Sequence, residues 1–336
     1  MISIFLRYLN LLVLTLIVIT VFSFGLAYLF PGDPYTNLTG LTDAEGMRAF
    51  HQQGVISAFG GYVEAIINGQ WGQSLNTGQS LYTEITLTLP ATLELSFYAL
   101  LLALVIGLPC GFLAALNPHR TIDYGVLGIS AVMYSFPVFW LAMLFVLVFS
   151  LTMGWLPMSG RINLLLDVPH QTGFILIDIA LADDIDRSVA FSDAIKHMIL
   201  PTVSVAIITM ATIIRAVRRS TIDVMRKPYI IAAQSRGLSN AQIFFKHGLR
   251  NALLPILPIL AMQVTAIITN VMIVESIFSW PGIGNWLLQA IYQQDYPAIR
   301  AGMLAVAGAV IVVTIFIELL NRLIDPSREK FERVAL

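Results

Sequence analysis

The sequence predicts an all-α membrane protein with about six transmembrane helices and both termini on the cytoplasmic side. Three observations predict it. Of the 336 residues, 57% are hydrophobic and 12% charged, with a mean hydropathy of +0.80; a water-facing surface cannot be built from that composition. Six runs, near 9–30, 92–116, 125–151, 197–215, 252–277 and 301–320, are long and apolar enough to cross a hydrocarbon core of about 30 Å. Fourteen of the 19 Lys and Arg residues fall on one face if the runs alternate. They are Arg7, Arg120, the eight between Arg215 and Arg250, and Arg322, Arg328, Lys330 and Arg333, which marks that face as cytoplasmic. The net charge of −1 says little, because the distribution matters more than the sum.

The first run, Leu9–Phe30, is longer than a signal-peptide core. It is followed by the rigid turn Pro31-Gly32-Asp33-Pro34 instead of a small-residue cleavage site, so it reads as an uncleaved anchor. Residues 31–91 form an outer-face segment with interfacial Tyr and Trp. The second run follows Pro90 and opens with Thr92-Leu93-Glu94-Leu95. It carries Gly107-x3-Gly111, a spacing that permits close helix approach. It also carries Cys110, which is the chain's single cysteine and so excludes a disulfide within the chain. Pro137 in the third run removes a backbone hydrogen bond and is expected to kink it, either for packing or as a hinge beside a transport path. The outer loop 152–196 holds Asp167, Asp178, Asp183, Asp184, Asp186 and Asp193 against three basic residues. That charge would attract a cationic solute, or it belongs to a solvated loop. The outer segment 278–299, with Trp280-Pro281-Gly282, reads as a tight turn leading into a short interfacial helix.

The most informative stretch is Tyr229–Pro255, YIIAAQSRGLSNAQIFFKHGLRNALLP. Pro228 suits the first turn of a helix, and Ala232 and Ala233 are strong helix formers that allow close approach. Gly237 suits a left-handed helix end. Ser239-x-x-Gln242 fits a capping box, with Leu238 and Ile243 as its staple. His247, Arg250 and Asn251 then lead to Pro255 and the fifth run. Such a folded, cationic hairpin on the cytoplasmic side has something to grip; a loop that only fixes topology would need the charge but not the caps.

Ala232-Ala233-x3-Gly237 ending in Leu254-Pro255 resembles the "EAA" loop of ABC-transporter permease subunits. Pro31-Gly32-Asp33-Pro34, Thr92-Leu93-Glu94-Leu95, Ser135-x-Pro137-x-Phe139, Trp155-Leu156-Pro157-x-x-Gly160, His247-x-Leu249-Arg250-Asn251-Ala252-Leu253-Leu254-Pro255 and Phe278-Ser279-Trp280-Pro281-Gly282 extend the resemblance over nearly the whole chain. Together they are similar to the dipeptide/oligopeptide permease family. A narrower resemblance, to its Sap-type branch, rests on Ser159-Gly160-Arg161, Thr172-Gly173-Phe174 and His197-Met198-Ile199-Leu200-Pro201; that branch has been assigned both peptide uptake and putrescine export. Where the family pattern usually starts with an acidic residue, this chain has Ile231.

The resemblance implies a single type I ABC importer transmembrane domain over 1–336, in a bacterial inner membrane. It would have periplasmic loops at 31–91 and 152–196 and a cytoplasmic coupling loop at 216–251. It implies a second homologous permease subunit, two cytoplasmic ATP-binding subunits docked on the hairpins, and a periplasmic solute-binding protein. It implies coupling roles for Ala232, Ala233, Gly237, Ser239, His247, Arg250, Asn251 and Pro255. The lipid bilayer is the other expected partner; nucleic acid is not expected. The chain has no Gly-Lys-Ser/Thr loop, no His-Glu-x-x-His and no cysteine pair, so it is expected to bind no cofactor or metal, leaving ATP and Mg²⁺ to partner ATPase subunits. A secondary transporter would need intramembrane ion-coupling residues and repeats, and an enzyme would need a catalytic cluster; neither is seen. Polar residues inside spans are costly and hence functional candidates. Glu94, Asn270 and Glu275, with Pro137, are the candidates for a translocation path, Glu94 and Glu275 lying near the outer, water-accessible ends of their spans. Glu318 is expected to pair with Arg322 four residues on.

Overall fold

A computed structural model describes residues 2–324; Arg328, Lys330 and Arg333, counted above toward the cytoplasmic charge, lie outside them. In chain order the helices are α1 (Ile2–Leu29), α2 (Pro34–Thr39), α3 (Ala44–Gln52), α4 (Val55–Ile67), α5 (Leu81–Leu116), α6 (Thr121–Ser135), α7 (Val138–Phe145) and α8 (Ile175–Leu181). They continue with α9 (Arg187–Met225), α10 (Pro228–Ser235), α11 (Asn240–Ile243), α12 (Leu249–Leu253), α13 (Leu257–Ile277), α14 (Ile283–Tyr292) and α15 (Tyr296–Ile324). A π-helical turn, Val146–Thr152, extends α7. Among the described residues five helical stretches are long and apolar enough to cross a membrane, six if α6 and α7, with the turn that extends α7 and a 93° bend between them, count as one span.

All six expected runs are helical, but several begin earlier than their apolar cores. The second starts at Leu81 and passes through Pro90. The Thr-rich stretch before Pro90, which lies ahead of the apolar run, is part of the helix: the Thr88 hydroxyl donates to the Glu84 carbonyl at 2.9 Å and the Thr86 hydroxyl to the Thr83 carbonyl at 2.9 Å, so these threonines bond back into their own helix. The fourth starts at Arg187 because Asp186 caps it, accepting from the Ser188 and Val189 amides at 3.0 and 3.2 Å. At 36 and 39 residues, α5 and α9 are about 54–59 Å long at ~1.5 Å per residue, well beyond the hydrocarbon core. The expected kink at Pro137 is a full break. Phe136 is extended (φ −100°, ψ 136°), as the residue before a proline prefers, and Pro137 is the non-helical cap of α7.

The chain divides into two compact units. The first comprises residues 1–94, 159–194 and 278–315. Phe24 and Ala27 of α1 pack there with Leu38, Ala58 and Tyr62, and a second cluster joins Leu81 and Ile85 to Ile283, Ala290 and Ala301. Arg300, 1% exposed, is held by neutral oxygens. Its guanidinium donates to the Tyr62 hydroxyl (2.7 Å) and to the carbonyls of Leu38 (2.8 Å) and Trp71 (2.9 Å). It thereby pins three parts of the 31–91 segment to the start of α15. The short helix expected after Trp280-Pro281-Gly282 is α14, entered through a turn in which the Gly282 amide donates to the Trp280 carbonyl at 2.8 Å.

The second unit comprises, among the described residues, 95–158, 195–277 and 316–324. Gly107 and Gly111 of α5 face α9. A Cβ on Gly111 would sit 2.6 Å from Val217 Cβ and 2.9 Å from the Ile214 carbonyl oxygen, and one on Gly107 3.0 Å from Ile213. The small-residue spacing therefore buys backbone approach. α13 packs on α7, and Asn321 donates to the Leu257 carbonyl at 3.2 Å. Glu318 and Arg322 pair at 3.7 Å.

Gly111→Leu should destabilise the protein by about 1–3 kcal/mol through overpacking. Gly128→Ala, at a helical site with nothing within 4 Å of the added carbon, should not destabilise it. Thermal unfolding midpoints in detergent would compare the two, and equal midpoints would contradict the packing described.

Candidate functional site

The segment between α9 and α13 folds into a hairpin whose conformation is set by its caps. Lys227 is extended (φ −72°, ψ 146°) and Pro228 opens α10. α10 ends where Gly237 takes φ +80°, its amide donating to the Gln234 carbonyl at 2.9 Å. Ser239 and Gln242 then cap each other: the Gln242 amide donates to Ser239 Oγ (3.3 Å) and the Ser239 amide to Gln242 Oε1 (3.0 Å). Inside the turn, Ile230, Ala233 and Ile243 form a buried cluster covered by Met225 and Leu238. Ala233 is thus an internal packing residue, whereas Ala232 is on the outside.

The second leg is not a separate short helix. It runs from Asn240 through a π-helical turn (Phe244–Gly248), α12 and a 3₁₀ turn at Leu254–Ile256 into α13. The π turn, a form frequent at functional sites, turns Phe244 inward against Phe112, with ring centroids 5.1 Å apart, and leaves Phe245 71% exposed. Asn251 ties the legs together. Its amide donates to the Tyr229 hydroxyl (3.1 Å) and to the His247 carbonyl (2.9 Å). The Ser220 hydroxyl donates to the Ala252 carbonyl at 2.7 Å, joining α9 to α12. His247 is half-buried, and Arg250 and Pro255 are exposed. The outer face presents Tyr229, Ile231, Ala232 and Phe245 among the exposed cations Arg226, Lys227, Arg236, Lys246 and Arg250. No Asp or Glu occurs between residues 224 and 274.

Two of the cations read as topology signals have specific partners. Arg218 forks onto Asp123 in the first turn of α6, at 2.5 and 2.7 Å, and Asp123 also accepts the His119 amide at 2.9 Å. Arg215 lies 4.2 Å from the centroid of the Tyr134 ring. Sequence reasoning missed both, because each partner is some 80–95 residues away and carries no local signal.

The path candidates are dispersed. Glu94, expected at a water-accessible end, is 2% exposed. It is paired with Arg161 and accepts the Ile175 amide at 3.3 Å; Arg161 also donates to the Gly173 carbonyl at 2.7 Å. In the other unit, Pro137 is exposed, Asn270 half-buried and Glu275 fully buried. Five residues apart on α13, Asn270 and Glu275 point roughly 140° from one another. In the acidic loop, Asp178 accepts from the Thr172 hydroxyl and amide at 2.6 and 2.7 Å, and Asp193 from the Asn163 amide at 2.7 Å. The Ser188 hydroxyl, with the neighbouring amides, holds the Asp186 carboxyl below its usual range. Asp183 accepts from Arg187 at 3.2 Å, so four of the six aspartates serve local structure.

A family model described as a binding-protein-dependent transport system inner membrane component matches residues 107–330. The chain is 38% identical over 333 residues to the di/tripeptide transport system permease protein DppB of Pseudomonas aeruginosa, spanning 97% of this chain and 98% of that one. It is 38% identical over 325 residues to the putrescine export system permease protein SapB of Escherichia coli, spanning 97% of each. Among solved structures, a chain of the inward-facing MetNI methionine ABC transporter aligns with 17% identity and a TM-score of 0.44, over 73% of this chain and 93% of that chain.

Removing the cap oxygen by Ser239→Ala should cost the turn about 1 kcal/mol. Amide hydrogen exchange at residues 239–243 should quicken while the middle of α13 is unchanged; unaltered exchange in the turn would contradict the capping role.

Proposed function

Because the chain belongs to the family of inner membrane components of binding-protein-dependent transport systems, we propose that it is one of two homologous permease subunits that together pass peptides across the inner membrane. Its termini and hairpin face the cytoplasm. Two separate ATPase subunits dock on the paired hairpins and hold the ATP and Mg²⁺, and a periplasmic solute-binding protein delivers the cargo. This chain itself does no hydrolysis.

The observation that carries this reading is the hairpin. It has its own buried cluster, reciprocal caps and a cross-leg hydrogen bond, so it moves as a unit and can pass on force. Its exposed side chains are apolar (Tyr229, Ile231, Phe245) or cationic (Arg226, Lys227, Arg236, Lys246, Arg250), with no carboxylate between residues 224 and 274, which suits an apolar groove that carries carboxylates. Ile231 puts an exposed apolar side chain where the family pattern usually has an acid. ATP binding closes the ATPase dimer and displaces the hairpins; hydrolysis resets them, and the spans alternate access.

Peptide as cargo rests on the DppB relative, matched over nearly its full length. The second reading, putrescine export, rests on the equally similar SapB relative. Reconstitution of the complete complex in liposomes, with its ATPases facing the bath, separates them. Labelled tripeptide loaded inside with the binding protein and expelled to the bath on adding ATP is the result expected of a peptide importer. Labelled putrescine accumulating inside from the bath would replace the peptide reading.

Gly237→Val should insert normally but abolish transport and ATPase co-purification. A β-branched residue resists φ +80°, at a cost of about 1–3 kcal/mol, although nothing crowds the site. Normal transport by this variant would contradict the hairpin's role. Because the exposed charges of the hairpin are all cationic, ATPase association should also weaken as salt rises from about 0.05 to 0.5 M; salt-independent association would argue against a charged contact.

A further inference from the structure

Two features of the second unit are not used by docking alone: the arginine contacts of α9 and the break between α6 and α7. We propose that α9 grips α6 at both ends, so that movement of the hairpin is delivered to the Phe136-Pro137 joint. The inference rests on the docking reading above and adds the route by which displacement reaches the spans.

The grip at one end is the Arg218–Asp123 fork, in which both carboxylate oxygens are engaged and the aspartate side chain is 1% exposed. Two parallel charge-assisted bonds fix orientation as well as distance. At the other end, the Arg215 guanidinium sits over Tyr134, one residue before the end of α6, within the range where a ring attracts a cation. Arg215 and Arg218 lie one turn apart on α9, yet they reach the first and last turns of α6. That helix is held near both ends by a single turn of α9. The same turn stands just before the hairpin, seven residues from Met225, where α9 ends.

The other half of the bent pair belongs to the other leg. α7 packs on α13, the helix that leaves the hairpin. The two legs are tied close to the hairpin by Ser220 and Ala252 at 2.7 Å. A tilt of α9 against α13 about that tie must therefore change the angle between α6 and α7. At the joint between them the helix is interrupted, because Phe136 and Pro137 are both extended; the Pro137 carbonyl accepts from Leu141 at 3.1 Å, within α7 itself. Asp123, Arg218, Arg215 and Tyr134 are positioning residues: they act on the pathway through α6.

The test uses the reconstituted complex with its ATPases and binding protein, and labelled tripeptide as cargo. Asp123→Asn and Tyr134→Leu should assemble with the ATPases and hydrolyse ATP, but move at least about threefold less peptide per ATP. Tyr134→Phe and Tyr134→Trp, which keep the ring, should match the wild type. Wild-type peptide-to-ATP ratios in Asp123→Asn and Tyr134→Leu would overturn the proposal. A second measurement does not depend on those variants. In a Cys110→Ser background, spin labels at the exposed positions Ile129 and Leu147 report the α6–α7 distance. That distance should differ between nucleotide-free and ATP-trapped complex; an identical distance would overturn the proposal. ATPase retention by Gly237→Val would instead strike the docking reading. If that variant loses the ATPase while the α6–α7 distance stays fixed in the otherwise wild-type complex, only the route falls.

Discussion

A charge that leaves water must take a counter-charge or a full set of hydrogen-bond partners with it, and three buried charges of this chain obey that constraint within their units. Glu94 is matched to Arg161 and to backbone amides. Arg300 is matched to a hydroxyl and backbone carbonyls. Asp123 is matched to Arg218. Such pairs add little stability over a well-packed apolar core, but removing one member strands the other. Their value here is registry: each joins segments 67 to 262 residues apart in sequence, where apolar packing alone would tolerate sliding. The long helices supply the spans, and these few pairings decide how the loops sit on them.

What was legible in the sequence was local. Gly237 at a left-handed helix end, Ser239 and Gln242 as mutual caps, Pro228 at a first turn and Glu318 beside Arg322 all depend on residues within four positions of each other, and each has the expected geometry. Gly107 and Gly111 were legible as permission for approach, but not as approach to Ile213 and Val217. Helix ends were less legible, because hydropathy sees the apolar core and not the polar turns that Thr88 and Asp186 stabilise. Pro137 was underestimated: the preference it imposes on Phe136 opens a 93° bend. The partners of Glu94, Asp123 and Arg300 were illegible, since a single charge within or beside an apolar run names no counterpart.

The hairpin joins these two kinds of information. Its shape is encoded locally by caps and a glycine, so it can form wherever α9 ends. Its connection to the rest of its unit is non-local, through Ser220, Phe112 and the arginines of α9. A part meant to transmit displacement needs both, rigidity within itself and few, strong attachments outside. The division between Ala233 inside and Ala232 outside follows from the same geometry. Of two adjacent small residues, one lets the legs close on each other and the other leaves the outer face open to a partner.

That outer face is where the account is most exposed. In a Cys110→Ser background, a cysteine placed at Ala232 can be labelled with a membrane-impermeant maleimide in inside-out vesicles, with and without the ATPase subunits. The account predicts ready labelling of the permease alone and protection once the ATPases are bound, with a cysteine at the exposed Leu164, in the 152–196 loop proposed to be periplasmic, unlabelled in either case. Equal labelling at position 232 with and without bound ATPase would contradict a docked hairpin, and labelling at 164 would contradict the orientation of the chain.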